Sequence, residues 1–137
     1  MATPTKTIRL RPKLRTEIER IARRTRRSFS EVAQALLEEA VRTRECPGIY
    51  LSDEPAGRVA KVAGTGLGVW EVVRSLKAAK GNERKLRKWL PHLSTAQLKA
   101  ATFYYTRFPQ EIDTEIADDI AARAEGRAMQ EAIAPRA

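Results

Sequence analysis

Thr5-Lys6-Thr7-Ile8-Arg9-Leu10-Arg11-Pro12 is the stretch whose reading decides the fold of the first part of the chain. Ile8 and Leu10 fall on one face and Thr5, Thr7 and Arg9 on the other, the period of two expected of a half-buried strand. At Pro12 the period changes. Leu14, Ile18 and Ile21 recur at helical spacing, and Pro12 suits a first turn, where its missing N–H removes no hydrogen bond. The spacing predicts a helix to about Arg24. After the basic turn Thr25-Arg26-Arg27-Ser28-Phe29, Ser30 is placed to cap a second helix with the apolar stripe Val32, Ala33, Leu36, Leu37, Ala40 and Val41. Ser28 with Glu31 is an alternative capping box. Pro47 and Gly48 should stop this helix near Arg44.

One strand and two short helices cannot bury their apolar faces alone, and a single strand leaves both its edges unpaired. A dimer removes both difficulties: two strands pair antiparallel about a two-fold axis, with Ile8 and Leu10 facing the helices. The combination of T-x-T-I-R-L-R-P, L-x-x-x-I-x-x-I and S-F-S-E-V-A-Q-A-L-L over residues 5–44 resembles the ribbon-helix-helix family of MetJ, Arc and CopG. Lys6 stands where that family usually has a third apolar strand residue. The resemblance implies a homodimer whose two-stranded ribbon enters the major groove of double-stranded operator DNA, its outward side chains meeting base edges. Those side chains are Thr5, Thr7 and Arg9. Arginine suits a bidentate contact with guanine, and threonine a hydrogen bond or a thymine methyl. The start of the second helix, with Ser28 and Ser30, would offer N–H groups to a phosphate, and Arg26 and Arg27 would add charge.

Composition agrees with a polyanionic partner. The chain has 137 residues, 26 Lys and Arg against 17 Asp and Glu, and a net charge of +9. Residues 1–44 carry 12 basic and 5 acidic side chains, 45–110 carry 11 and 5, and 111–137 carry 3 and 7. A basic first part fits nucleic acid, and an acidic tail fits a basic partner. No apolar run approaches the ~20 residues that span a bilayer, and no signal-peptide core stands at the N-terminus. The expectation is a cytoplasmic protein without a membrane partner. Cys46 is the one cysteine and His92 the one histidine, which leaves neither a disulfide framework nor a zinc-finger set. No metal and no cofactor are expected. Nor is an enzyme, because no acid–base, nucleophile or metal set is clustered.

From Gly48 two extended pieces, Ile49-Tyr50-Leu51 and Arg58–Val62, precede Gly64-Thr65-Gly66-Leu67-Gly68. That glycine run lacks the Lys-Ser/Thr of a P-loop and the acidic residue of a dinucleotide site, and reads as a plain turn. Helical spacing follows: Val69, Val72, Val73 and Leu76; then Leu86, Trp89 and Leu90 after Gly81-Asn82; then Leu98, Ala101, Phe103 and Tyr105 behind a Ser94/Gln97 capping box. Trp70, Trp89, Tyr104 and Tyr105 at such spacing read as core before they read as stacking platforms. Arg84-Lys85-Leu86-Arg87-Lys88 suits either a phosphate backbone or a solvated helix face. G-T-G-L-G-V-W-E-V-V, W-L-P-H-L-S-T-A-Q-L-K-A-A-T-F-Y-Y and F-P-Q-E-I-D, within about residues 49–116, resemble family 433 of unknown function, found in VapB-type antitoxins. Gly66 stands where that family usually has arginine.

In the tail Ile112, Ile116 and Ile120 recur every four residues, continued by Ala121, Ala124 and Ala128. Such a helix packs on the preceding module or lies in a partner's groove. The VapB-type resemblance implies that sequence beyond the DNA-binding part occupies a toxin's nuclease site, with Arg123, Arg127 and Arg136 facing its metal-binding carboxylates.

The expected architecture is thus mainly α with a short N-terminal strand. It comprises a ribbon-helix-helix dimer over residues 1–46, a small trihelical, helix-turn-helix-like domain with short strands over 47–110, and an acidic C-terminal helix over 111–137. The expected function is an antitoxin of a type II toxin–antitoxin system. It would bind operator DNA as a dimer, repress its own operon and neutralise a PIN-type ribonuclease toxin. The alternative is a stand-alone ribbon-helix-helix transcriptional regulator without a toxin partner.

Overall fold

The computed structural model describes residues 3–133 and is mainly helical, with one small two-stranded antiparallel sheet. The chain divides into two compact units, Met1–Arg42 and Thr43–Ala137. Among the described residues no helix is long and apolar enough to cross a membrane.

The first unit holds α1 (Pro12–Thr25) and most of α2 (Phe29–Glu45). Pro12 takes the first helical position of α1, and Arg23 and Arg24 stand in its last turn, where cations meet the negative end of the helix dipole. The helix closes on Arg26 in the left-handed conformation, φ 55°, with the Arg27 N–H donating to the Ala22 carbonyl at 3.0 Å. The cap of α2 is Ser28 rather than Ser30. Ser28 Oγ accepts from the Glu31 N–H at 3.1 Å and donates to the Glu31 carboxylate at 3.1 Å. With both partners met at Ser28, the helix starts one residue later and leaves Ser30 exposed in its first turn. Ile18, Ala22 and Val32 form a small core, with Leu10, Ile21, Phe29 and Ala33 packed against it.

The strand expected over Thr5–Leu10 does not form in the single chain: residues 3–11 have no regular secondary structure. A strand needs a neighbour to take its N–H and C=O groups, and the first unit offers none.

The second unit opens with a hairpin of β1 (Ile49–Glu54) and β2 (Gly57–Val62), in register from Ile49 opposite Val62 to Glu54 opposite Gly57. Gly48 precedes it at φ 85°, where a Cβ would lie 3.2 Å from the Ala100 Cβ, so only glycine brings the strand this close to the helix carrying Ala100. Then come α3 (Val69–Ala78), α4 (Glu83–Trp89), α5 (Thr95–Arg107) and α6 (Pro109–Ile133). Asn82 caps α4, and the Ser94/Gln97 capping box opens α5 with bonds of 3.1 and 2.9 Å. The α6 helix packs on α3 and α5, so that Ile112 is fully buried beside Val72, Leu86, Ala101 and Tyr104.

Of the aromatics read as core, Tyr104 is buried and Trp89 is not. In α5 it is Tyr104 that is fully buried, while Phe103 is exposed, because the turn that puts Leu98 and Ala101 inward carries residue 104 with them and 103 outward. In α4 Leu86 fills the core alone and Trp89 is 47% exposed, since a seven-residue helix turns only one narrow face inward.

Candidate functional site

Thr5, Thr7 and Arg9 are all exposed in the segment before α1. Arg9, Arg11, Lys13, Arg23, Arg24 and Arg26 form no ion pair among the described residues, whereas Arg15 and Arg20 face Glu19 and Glu17 on α1, and Arg27, just before α2, faces Glu31 in its first turn. The Arg27–Glu31 pair is long, 3.7 Å, and exposed, so it holds Arg27 weakly. Ser28 spends its hydroxyl on the cap. The N–H groups of Phe29 and Ser30 have no intrahelical acceptor and lie beside Arg26 and Arg27 in sequence, a combination suited to a phosphate oxygen.

Beside this cationic surface lies a bare apolar one. Ile8 (60% exposed), Leu14, Leu36, Leu37 and Val41 are all open to solvent. Ile8, Leu10, Leu14, Ile18, Ala33, Leu36 and Leu37 line a groove of about 230 Å³. Fully covering five side chains of this size is worth roughly 1.5–3 kcal/mol each.

The arginines expected on the toxin side are not equivalent. Arg123 donates to Asp119 at 3.0 Å, and Asp119 also receives Arg74 at 2.8 Å. Arg127 is exposed and has no ion-pair partner among the described residues; Arg136 lies outside them. Ile112 and Ile116 pack against the second unit's core, but Ile120, Met129 and Ile133 are exposed, and every residue from 120 to 133 is open to solvent. The distal half of α6 is an unaccompanied helical arm.

The second unit also contains an acidic groove of about 480 Å³ bordered by the hairpin, the start of α3 and α6. Glu54, Lys61, Trp70, Glu71, Glu115, Asp118 and Asp119 are among its lining residues. Glu54 pairs with Lys61, and the Glu71 carboxylate accepts from the Gly68 N–H at 2.7 Å. One oxygen of Glu115 is sealed from solvent without a hydrogen-bond partner. Burial pushes its carboxyl up to about 7, and repulsion from Glu111 and Asp118 adds to the shift. Nearby, Asp113 is held below the ordinary carboxylate range by the Tyr105 hydroxyl at 2.7 Å and the Lys77 ammonium at 3.0 Å. Sequence reasoning missed this groove. Its signal was the i, i+3, i+4 spacing of Glu115, Asp118 and Asp119, which puts three acids on one helical face. Among the described residues no group of three or more His, Cys, Asp and Glu could hold a metal ion.

No family model and no curated protein match the chain. Among solved structures it is similar to a DUF433 member protein from Anabaena variabilis, at 28% identity over 79% of this chain and 99% of that one, with a TM-score of 0.44.

Proposed function

We propose that this protein is an antitoxin of the type II class. Its first unit dimerises and binds operator DNA to repress its own operon, and its distal α6 arm engages a PIN-type ribonuclease toxin. The observation that carries the reading is the first unit's bare apolar groove beside a surface of unpaired cations. A second copy of the chain supplies the cover: turned about a two-fold axis, it pairs its residues 5–10 with those of the first copy and shields Ile8, Leu14, Leu36 and Leu37. The same step leaves Thr5, Thr7 and Arg9 of both copies on the outer face of the ribbon, a width and chemistry that suit a major groove. Arg26, Arg27 and the start of α2 then contact phosphates.

For the toxin the support is the arm over residues 120–133, whose apolar side chains Ile120, Met129 and Ile133 are exposed, with Arg127 available to a carboxylate. A regulator without a toxin is the second reading, favoured by Arg123 being already bound to Asp119 within the chain. Coexpression with a PIN-type toxin separates the two. Rescue of growth by the full chain, lost when residues 120–137 are deleted, supports the antitoxin; binding of operator without rescue of any such toxin supports the regulator.

The DNA half is tested on its own by operator titration. Arg9→Ala should relax sequence preference at a cost of about 1–3 kcal/mol on the cognate site, while Arg27→Ala weakens all duplexes alike and lowers the salt slope by about one. An unchanged specificity ratio for Arg9→Ala rejects the ribbon as the reader.

A further inference from the structure

Several cations of the second unit are held by partners within the chain. Arg58 meets Asp53 at 3.0 Å, Arg74 meets Asp119 at 2.8 Å, Lys77 meets Asp113 at 3.0 Å, and Lys61 and Arg107 pair with Glu54 and Glu45. Arg87 is held by the Leu93 carbonyl and the Thr95 hydroxyl. Four others, Lys80, Arg84, Lys85 and Lys88, lie together on the α3–α4 turn and on α4, all exposed and without an ion pair among the described residues. Against one acid in the same stretch, Glu83, these four cations leave a net positive patch, which attracts a polyanion.

On the same helix stands Trp89. Leu86 and Leu90 take the inward positions, which leaves the indole 47% exposed with the Lys85 ammonium 5.6 Å from its ring centre. The ring also lines a pocket of about 330 Å³ with Thr65, Leu67, Leu90, Pro91 and His92. Gly64 and Thr65 border that pocket without bulky side chains, and the His92 side chain has no hydrogen-bond partner among the described residues. An exposed aromatic face, a concave pocket against it and three unpaired cations beside it match an unstacked base with its flanking phosphates. A duplex meets such a surface with its phosphates alone, because its base faces are already stacked.

We infer that the α4 face is a binding site for single-stranded nucleic acid, in which Trp89 stacks on an unpaired base at the mouth of the pocket and Arg84, Lys85 and Lys88 hold the neighbouring phosphates. This site is separate from the duplex contact proposed for the first unit and does not depend on the antitoxin reading. The probe is labelled oligothymidylate titrated with the full chain, followed by fluorescence anisotropy at several salt concentrations. Trp89→Ala should weaken binding about tenfold, and Trp89→Phe should restore most of the loss. Arg84→Ala and Lys88→Ala should each lower the salt slope by about 0.7. A duplex of equal length should bind the parent and Trp89→Ala chains alike, whether or not the first unit recognises an operator. Unchanged oligothymidylate affinity in Trp89→Ala overturns the site. So does an equal loss on the duplex, or polyglutamate binding with the same dependence on Trp89, which would assign the face to anionic polymers in general.

Discussion

The two units of this chain solve the burial problem differently. Among the described residues the first unit buries three apolar side chains, Ile18, Ala22 and Val32, and leaves five large ones exposed. The second buries fourteen around Val72, Leu86 and Tyr104, and it recruits α6 to do so. The second has a closed core; the first leaves most of its large apolar side chains open. Ion pairing follows the same division. Lys77 and Arg74 tie α3 to α6 over long sequence separations, while the pairs of Arg15, Arg20 and Arg27 in the first unit join residues only three or four apart. Charges used to hold a fold together are unavailable to a partner, and charges left over are the ones a partner meets.

The largest expected effect breaks this contrast at its weakest point. Leu36→Asp puts a charge in the surface that the proposed second copy covers, and should abolish dimerisation and folding of the first unit together. The second unit should keep its own thermal transition. Sedimentation and circular dichroism check both halves of the statement, and a folded monomeric first unit would contradict the shared core. In the second unit Leu86→Ala, at a site with no exposure, should cost about 2–5 kcal/mol, read as a lowered midpoint of that transition alone. Concentration dependence sharpens the comparison: it should appear in the first transition and be absent from the second.

Glu115 gives a smaller effect with a definite sign. Its folded value of about 7 lies above the ordinary 4.5, so between these values the folded chain binds more protons than the unfolded one. Stability of the second unit therefore falls as pH rises through that window, and the penalty is complete above about 7. Glu115→Gln, which keeps the shape and removes the charge, should raise stability at pH 8 by about 1 kcal/mol after discounting for solvent screening, and change little at pH 5. Equal effects at the two pH values would show that repacking, rather than charge, is responsible.

The smallest effect separates folding from binding at one residue. Arg26 holds a left-handed conformation that costs a side-chain-bearing residue about 1 kcal/mol, partly offset in glycine by its freer unfolded chain. Arg26→Gly should raise the first unit's midpoint by roughly 0.5 kcal/mol of stability. It should also lower duplex affinity by one phosphate contact. If both quantities fall, the left-handed turn is not strained.

Much of the local structure was legible because it depends on short-range geometry. The change of period at Pro12, the Ser94/Gln97 box and the stop at Pro47-Gly48 fix helix ends through bonds between residues at most a few positions apart. The Thr5–Leu10 alternation was equally clear, yet the single chain forms no strand there, since an alternating pattern states which face should be buried and cannot supply the neighbour that pairs the backbone. The aromatics were legible only in part: Tyr104 read as core and is buried, while Trp89 read the same way and is exposed. Tyr104 and Phe103 are adjacent and chemically alike, and only the rotation of α5 against α3 and α6 buries one and exposes the other.

The sequence by itself determined the helices and their ends, the hairpin segments, the surplus of positive charge and its concentration before the acidic tail, because each is written in residue type and spacing. Tertiary structure alone decided which charges remained free. Arg74 and Lys77 are neutralised by Asp119 and Asp113 from a helix some forty residues away, whereas Arg84, Lys85 and Lys88 are not. It also decided that Glu115 loses its water and that Trp89 keeps its ring in solvent. Desolvation and ion pairing are set by what packs against a side chain from elsewhere in the chain, and no local pattern carries that information.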